Sequence, residues 1–151
     1  MDVIETRTAT EADFDFLVDL HRQTFQVYVE QLWGWDEAGQ RAGLYEDFQM
    51  FPFEIIYDRG EAVGMMSVVN QRDALFLNYL AILPTAQRRG LGTHLVRRLM
   101  HQAFEQQLPV TLVVLKVNPA KAFYERLGFT VTGDDEYRYF MSSSEGVNTD
   151  N

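Results

Sequence analysis

From Thr10 to Trp33 the residues Phe14, Leu17, Val18, His21, Phe25, Tyr28, Val29 and Leu32 recur every three or four positions. That spacing puts them on one face of a helix. Thr10, with Asp13 three residues on, reads as a variant of the capping box at its start, and Trp33-Gly34 as its end. Ahead of it, Val3–Thr8 alternates and is β-branched, as a strand does. A second helix is expected from Asp36 to about Met50, where Leu44 and Phe48 lie four apart and Pro52 closes the segment.

After Phe53 the period changes from helix to strand. Glu54–Tyr57 and Ala62–Val69 flank the turn Asp58-Arg59-Gly60-Glu61 as a hairpin, and Gln71-Arg72-Asp73 leads into a third apolar strand, Ala74–Leu83. Leu91, Leu95, Leu99 and Ala103, flanked by Val96, Met100 and Phe104, predict a helix from near Gly90, with Pro109 beyond its end. Val110–Val117 is almost wholly apolar, as expected of a central strand covered on both faces. Asn118-Pro119 predicts a helix start with an Asn cap and Pro at the first position, and Gly128 predicts its stop. Phe129–Thr132 and Glu136–Met141 would close the sheet as a hairpin around Gly133-Asp134-Asp135. The order is β-α-α-β-β-β-α-β-α-β-β: an α/β chain with one central mixed sheet flanked by helices. Residues 1–141 are expected to be a single domain and 142–151 a disordered polar tail.

Composition narrows the functional classes. The chain has 151 residues, 46% hydrophobic and 23% charged, which suits one globular domain. It has no cysteine, so thiolate nucleophiles, disulfides and Cys-ligated metals are excluded. No apolar stretch is long enough to span a bilayer. Met1–Ala9 has no apolar core, so a signal peptide is not expected and a cytoplasmic protein is.

The formal charge of −9 argues against nucleic acid and anionic membrane as partners. All of the excess lies in residues 1–60, which hold 13 acids and 4 bases, against 9 of each thereafter. The acids either serve solubility alone or mark the cationic-ligand end of a site whose anionic-ligand end lies near Arg88-Arg89 and Arg97-Arg98.

Two segments carry chemistry. Pro84-Thr85-Ala86-Gln87-Arg88-Arg89-Gly90-Leu91-Gly92-Thr93 links an apolar strand to an amphipathic helix and puts two glycines where the helix begins. The first N–H groups of a helix are unpaired and sit at its positive dipole end, where phosphate binds. The third glycine of a dinucleotide fingerprint is missing, and no Gly-Lys-Ser/Thr follows, so neither a Rossmann nor a P-loop motif is present. A tight strand-to-helix turn would explain the glycines as well; the arginines favour an anion site. The other segment is Asn118-Pro119-Ala120-Lys121-Ala122-Phe123-Tyr124-Glu125-Arg126-Leu127-Gly128-Phe129. There Phe123 and Leu127 should face the core, while Tyr124, about 100° round the helix, can look into a cleft.

Together these segments, with the strand ending Leu80-Ala81-Ile82-Leu83-Pro84, resemble the GNAT superfamily of acetyl-CoA-dependent N-acetyltransferases, from Val3 to Met141. The resemblance implies acetyl-CoA as co-substrate and no metal. The backbone of Ala81, Ile82 and Leu83 would pair with the pantetheine amides. The N–H groups of Gln87, Arg88, Arg89, Gly90, Leu91, Gly92 and Thr93 would hold the pyrophosphate, with the two arginine side chains near the phosphates. Asn118 would bind the pantetheine arm, and Tyr124 would protonate the departing thiolate. Where many members carry a Glu on the third of these strands, this chain has Asn78, a neutral amide that cannot act as a base. The base is left among Glu30, Asp36, Glu37, a relayed water, or an amine that arrives neutral.

Tyr28–Glu37 lies where members vary most and select their acceptor. Its Trp33-Gly34-Trp35 turn beside Glu30 and Asp36 would suit a cation, or the indoles pack the end of a helix. The acceptor expected is a primary amine of a cationic small molecule or peptide, and a homodimer is left open. The alternative is a non-catalytic acetyl-CoA sensor, kept alive by Asn78. His94 and His101 are seven residues apart on one helix, roughly 10 Å along its axis, too far to share a metal. His21 reads as a packed histidine and Met65-Met66 as strand packing.

Overall fold

The computed structural model describes residues 3–143. Its elements are β1 (Ile4–Thr8), α1 (Phe14–Trp33), α2 (Glu37–Met50), β2 (Glu54–Asp58), β3 (Glu61–Asn70), β4 (Leu75–Ile82), α3 (Leu91–Glu105), β5 (Val110–Leu115), α4 (Ala120–Arg126), β6 (Thr130–Asp134) and β7 (Arg138–Ser142), with 3₁₀ turns at Glu11–Asp13 and Pro84–Ala86. This is the predicted order. The strands form a seven-stranded mixed sheet in the order β1-β2-β3-β4-β5-β7-β6. Among the described residues no helix is long and apolar enough to cross a membrane. They divide into two compact units: the chain up to Val68 with Tyr79–Leu91, and Val69–Asn78 with the chain from Gly92 onward.

In the first unit, β2 pairs antiparallel with both β1 and β3. The buried side of α1 is Phe14, Leu17, Val18 and Leu20, which pack with Leu44, Phe53, Ile55, Met65 and Ala81. Burying a side chain such as Leu17 or Leu20 stabilises the fold by roughly 1.5–3 kcal/mol. Beyond His21 the predicted stripe is only half-buried. The capping box forms as predicted, with the Thr10 N–H donating to Asp13 Oδ2 at 2.7 Å. Arg7 forks onto both Asp13 oxygens at 2.8 Å and holds that carboxyl below the usual carboxylate range.

In the second unit, β5 runs parallel to β4 through Leu75↔Val110 and antiparallel to β7. Leu95, Val96, Leu99, Met100 and Ala103 of α3 are all buried, on the predicted stripe. Three expectations need correction. Residues 110–117 were expected to be covered on both faces, but β5 alternates: Val110, Leu112 and Val114 are buried, whereas Val113 is 38% exposed. Val113 stands opposite Phe140 of β7, itself 37% exposed, so the two cover each other across the strands. The final turn falls later than predicted. Asp135 Oδ1 accepts from the N–H groups of Tyr137 and Arg138, while Gly133 lies inside β6, beside a register shift. Ser142 and Ser143, the first residues of the expected tail, lie within the fold. Ser142 belongs to β7, and Ser143 is buried, its N–H donating to Val110 O and its Oγ accepting from Val110 N–H. The rest of the expected tail, 144–151, lies outside the described residues.

Candidate active site

In the first unit, the end of β4 and the loop after it form one connected piece. The N–H of Leu83 donates to Val63 O on β3 at 2.8 Å. Backbone groups alternate sides along a strand, so Ala81 and Leu83 point their peptide groups towards β3 and Ile82 points its own away. Of the three residues expected to pair with a ligand's amides, Ile82 therefore has the free side. Its carbonyl accepts from Gln87 Nε2 at 2.9 Å, which ties the loop to the strand end.

The two arginines that follow do different things. Arg89 reaches back to Asp58 Oδ2 at 3.1 Å and to Thr85 O at 3.2 Å. The Asp58 side chain is only 5% exposed, so Arg89 neutralises a buried carboxylate. Arg88 is exposed and sits in the left-handed region at φ 69°. Gly90 follows at φ +79°, and a Cβ placed on it would meet no atom within 4 Å. The loop thus offers an open, glycine-floored surface and one outward arginine, features that fit the phosphates of an anionic ligand.

The second glycine answers to packing. In the second unit a Cβ on Gly92 would approach Phe123 Cζ to 3.4 Å, so α3 and α4 use the missing side chain to come together. Thr93 is half-buried on the first turn of α3. Asn118 Oδ1 accepts from the Ala120 N–H at 2.9 Å, as a capping Asn should, although Pro119 holds the cap position and the helix starts one residue later than expected. A role for Asn118 towards a ligand would fall to its amide NH₂.

Tyr124 departs from the expected orientation. It is 8% exposed while Phe123 is only half-buried, so the tyrosine, not the phenylalanine, faces the interior. The helix end explains this. The Phe129 N–H donates to Tyr124 O and the Gly128 N–H to Glu125 O, with Gly128 at φ +102°, which is a Schellman closure. That closure folds Phe129 back onto Tyr124, and Phe123 also stands edge-on to it at 5.0 Å. Burial pushes the Tyr124 hydroxyl well above its usual pKa, so it keeps its proton at any working pH. Asn78 is half-buried on β4.

The acceptor candidates of the first unit separate by exposure. Trp33 is 55% exposed. Glu30, in the last turn of α1, and Asp36, which caps α2, are exposed as well. Trp35 is half-buried against the His21 ring at 5.4 Å, and its Nε1–H donates to Glu37 at 2.9 Å. Glu37 also pairs with Arg22 at 2.7 Å, and these partners pull its carboxyl down to about 2. Glu37 is therefore a poor base.

One constellation has no signature in the sequence. His21 bonds through Nδ1 to the Tyr79 hydroxyl and through Nε2 to Gln40 Oε1 at 2.8 Å. Phe25, Trp35 and Tyr79 surround its ring. His21 sat on the predicted apolar stripe and Tyr79 beside Asn78, but nothing in their spacing joins residues 58 positions apart. Among the described residues no group of three or more His, Asp or Glu side chains gathers as metal ligands would.

Comparison with known proteins gives this geometry a family. The fold resembles that of PaiA N-acetyltransferase from Thermoplasma acidophilum, solved with coenzyme A, with TM-score 0.74 and 17% identity over 95% of this chain and 99% of that one. It also resembles the ribosomal-protein-S18-alanine N-acetyltransferase of Escherichia coli (TM-score 0.69, 18% identity, 98% and 97% covered). A third similar structure is spermidine N-acetyltransferase from Vibrio cholerae with CoA and spermine (TM-score 0.69, 17% identity, 99% of each chain). No curated protein matches the chain in sequence. The model of the acetyltransferase (GNAT) family matches residues 14–129. The chain belongs to that family of acetyl-CoA-dependent N-acetyltransferases.

Proposed function

We propose that this enzyme moves the acetyl group of acetyl-CoA onto a primary amine of a cationic small molecule or peptide, by direct attack of the amine on the thioester, with residues 1–141 acting as one catalytic domain. The observation that carries the reading is the loop before α3, where Arg88 and the open floor at Gly90 suit a pyrophosphate. In this reading Ile82 presents its N–H to the pantetheine arm, Asn118 donates to it, and the first turn of α3 meets the phosphates. The Tyr124 hydroxyl, protonated because it is buried, donates to the sulfur as the thiolate departs. The exposed Glu30, Asp36 and Trp33 favour a cationic acceptor. Similar proteins named for spermidine or for a protein's alanine make polyamines and peptide N-termini the first acceptors to try.

The test is CoA release, read with a thiol reagent, across polyamines, amino sugars, amino acids, and lysine-bearing and free-N-terminal peptides. Turnover with one acceptor class, reduced in Tyr124→Phe while acetyl-CoA still binds, is the expected result. Saturable acetyl-CoA binding with no turnover across the panel would favour the sensor reading that Asn78 suggests. Absence of acetyl-CoA binding would overturn both.

A further inference from the structure

The reaction needs a group to take the proton that the amine sheds, and neither Asn78 nor Glu37 suits that task. We propose that Tyr79 and His21 are the proton acceptor, with the Tyr79 hydroxyl touching the amine and His21 receiving the proton behind it. The proposal rests on the acetyltransfer reading above and deepens it.

The hydrogen-bond chain has a direction. Gln40 Oε1 can only accept, so the His21 proton sits on Nε2 and points at it. A neutral imidazole then has its lone pair on Nδ1, and the Tyr79 O–H donates to that nitrogen. The oxygen of Tyr79 keeps lone pairs with which to accept an N–H from the amine. Gln40 would go on accepting from Nε2–H once the ring is an imidazolium, which steadies the charge.

Both requirements of a base are met by placement. Tyr79 lies three residues before Ile82 on β4, near the strand end assigned to the acetyl carrier. Trp35, in the segment read as selecting the acceptor, lies tilted against His21 with ring centroids 5.4 Å apart. The charged groups facing the ring are Glu37 of α2 and Arg22 of α1; they have opposite effects on it and are bonded to each other at 2.7 Å. Burial prevails and holds His21 below its ordinary 6.5, in the neutral form a base needs. The Tyr79 hydroxyl is held far above its usual range by burial, with the charge of Asp47 adding to the effect, so it relays a proton and does not ionise at rest.

The step balances. As the amine nitrogen bonds to the carbonyl carbon, its proton passes to Tyr79 Oη while the Tyr79 proton passes to His21 Nδ1. The C–S bond breaks with its electron pair on sulfur, which takes the Tyr124 proton. Solvent then removes the proton from His21 and restores the one on Tyr124.

The experiment is the pH profile of kcat/KM with the best acceptor of the panel, for the wild type, Tyr79→Phe and His21→Gln, with acetyl-CoA affinity measured by calorimetry for each. The wild type is expected to lose activity on acidification with a midpoint below 6.5, matching the His21 titration followed by NMR. Tyr79→Phe keeps the ring packing, and is expected to bind acetyl-CoA normally and to lose about 100-fold or more in kcat/KM. His21→Gln should lose the acid limb. Should His21→Gln not fold, Tyr79→Phe and the NMR titration decide. Either variant staying within twofold of wild type, with an unchanged profile, would overturn the proposal. So would an NMR midpoint that departs from the kinetic one. A wild-type protein that binds acetyl-CoA and acetylates nothing would remove the underlying reading and this proposal together, and that failure shows before any variant is made.

Discussion

The ring of Phe129 stands edge-on to Tyr124, with centroids 5.5 Å apart and planes at 68°. Two hydrogen bonds of the helix end fix this contact, so the tyrosine's position follows from how α4 stops. Phe129 is 2% exposed, and Phe129→Ala should cost roughly 3–5 kcal/mol in denaturant unfolding. A loss much below 1 kcal/mol would mean that the two rings do not support each other.

Tyr124→Phe removes only the hydroxyl. Its stability should stay within about 1 kcal/mol of wild type, as expected for the loss of a single neutral hydroxyl. Acetyl-CoA affinity should be unchanged, and kcat should fall about 100-fold or more. Steady-state kinetics beside calorimetric binding would show the split.

Asp58 and Arg88 test the two sides of the phosphate loop. Asp58→Asn takes the charge from Arg89's buried partner, so it should lower stability by roughly 1.5–3 kcal/mol and raise KM for acetyl-CoA. Arg88→Ala should raise that KM with little change in melting temperature, since the side chain is exposed. Equal effects of the two variants on stability would contradict this division.

Gly128→Ala should destabilise by roughly 1–3 kcal/mol, because at φ +102° a side chain is strained even though space around it is open. Thermal unfolding measures it. A neutral result would mean that the helix can end some other way.

Glu37 sets an acid limit. Its carboxyl is lowered from an ordinary 4.5 to about 2, first by Arg22 and then by the Trp35 N–H. A depressed carboxyl contributes stability above its unfolded pKa and loses it as pH falls through the folded one. Melting temperature should therefore decline from about pH 4.5 towards 2, and Glu37→Gln should flatten part of that slope. The contribution is modest, since the pair is exposed to solvent.

Local patterns in the sequence were sufficient for most of the fold. The α3 stripe, the capping box at Thr10 on the 3₁₀ turn that leads into α1, and the stop at Gly128 each rest on neighbours within a turn or two, where spacing is informative. The misplaced features depend on partners far along the chain. Val113 has the residue type of a core position but stands on the open face of β5, opposite Phe140 of β7, which is itself 37% exposed. Gly133 had the residue type of a turn but took a place in β6, because Asp135 offered the following N–H groups a better bond. In the site, the loop's glycines were legible and their division of labour was not, for what separates them is the positive φ of Gly90 and the packing of Phe123 against Gly92. Arg89 is distinguished from Arg88 by its bond to the distant Asp58. The His21–Tyr79–Gln40 chain joins α1, β4 and α2, and no window of sequence contains all three.

The tether from Arg89 to Asp58 has a thermodynamic consequence. A loop held in one shape by a buried carboxylate and by Gln87 on Ile82 has already surrendered its conformational entropy during folding. A ligand arriving at such a loop meets a rigid template, so little ordering opposes its binding and its affinity reflects the contacts themselves.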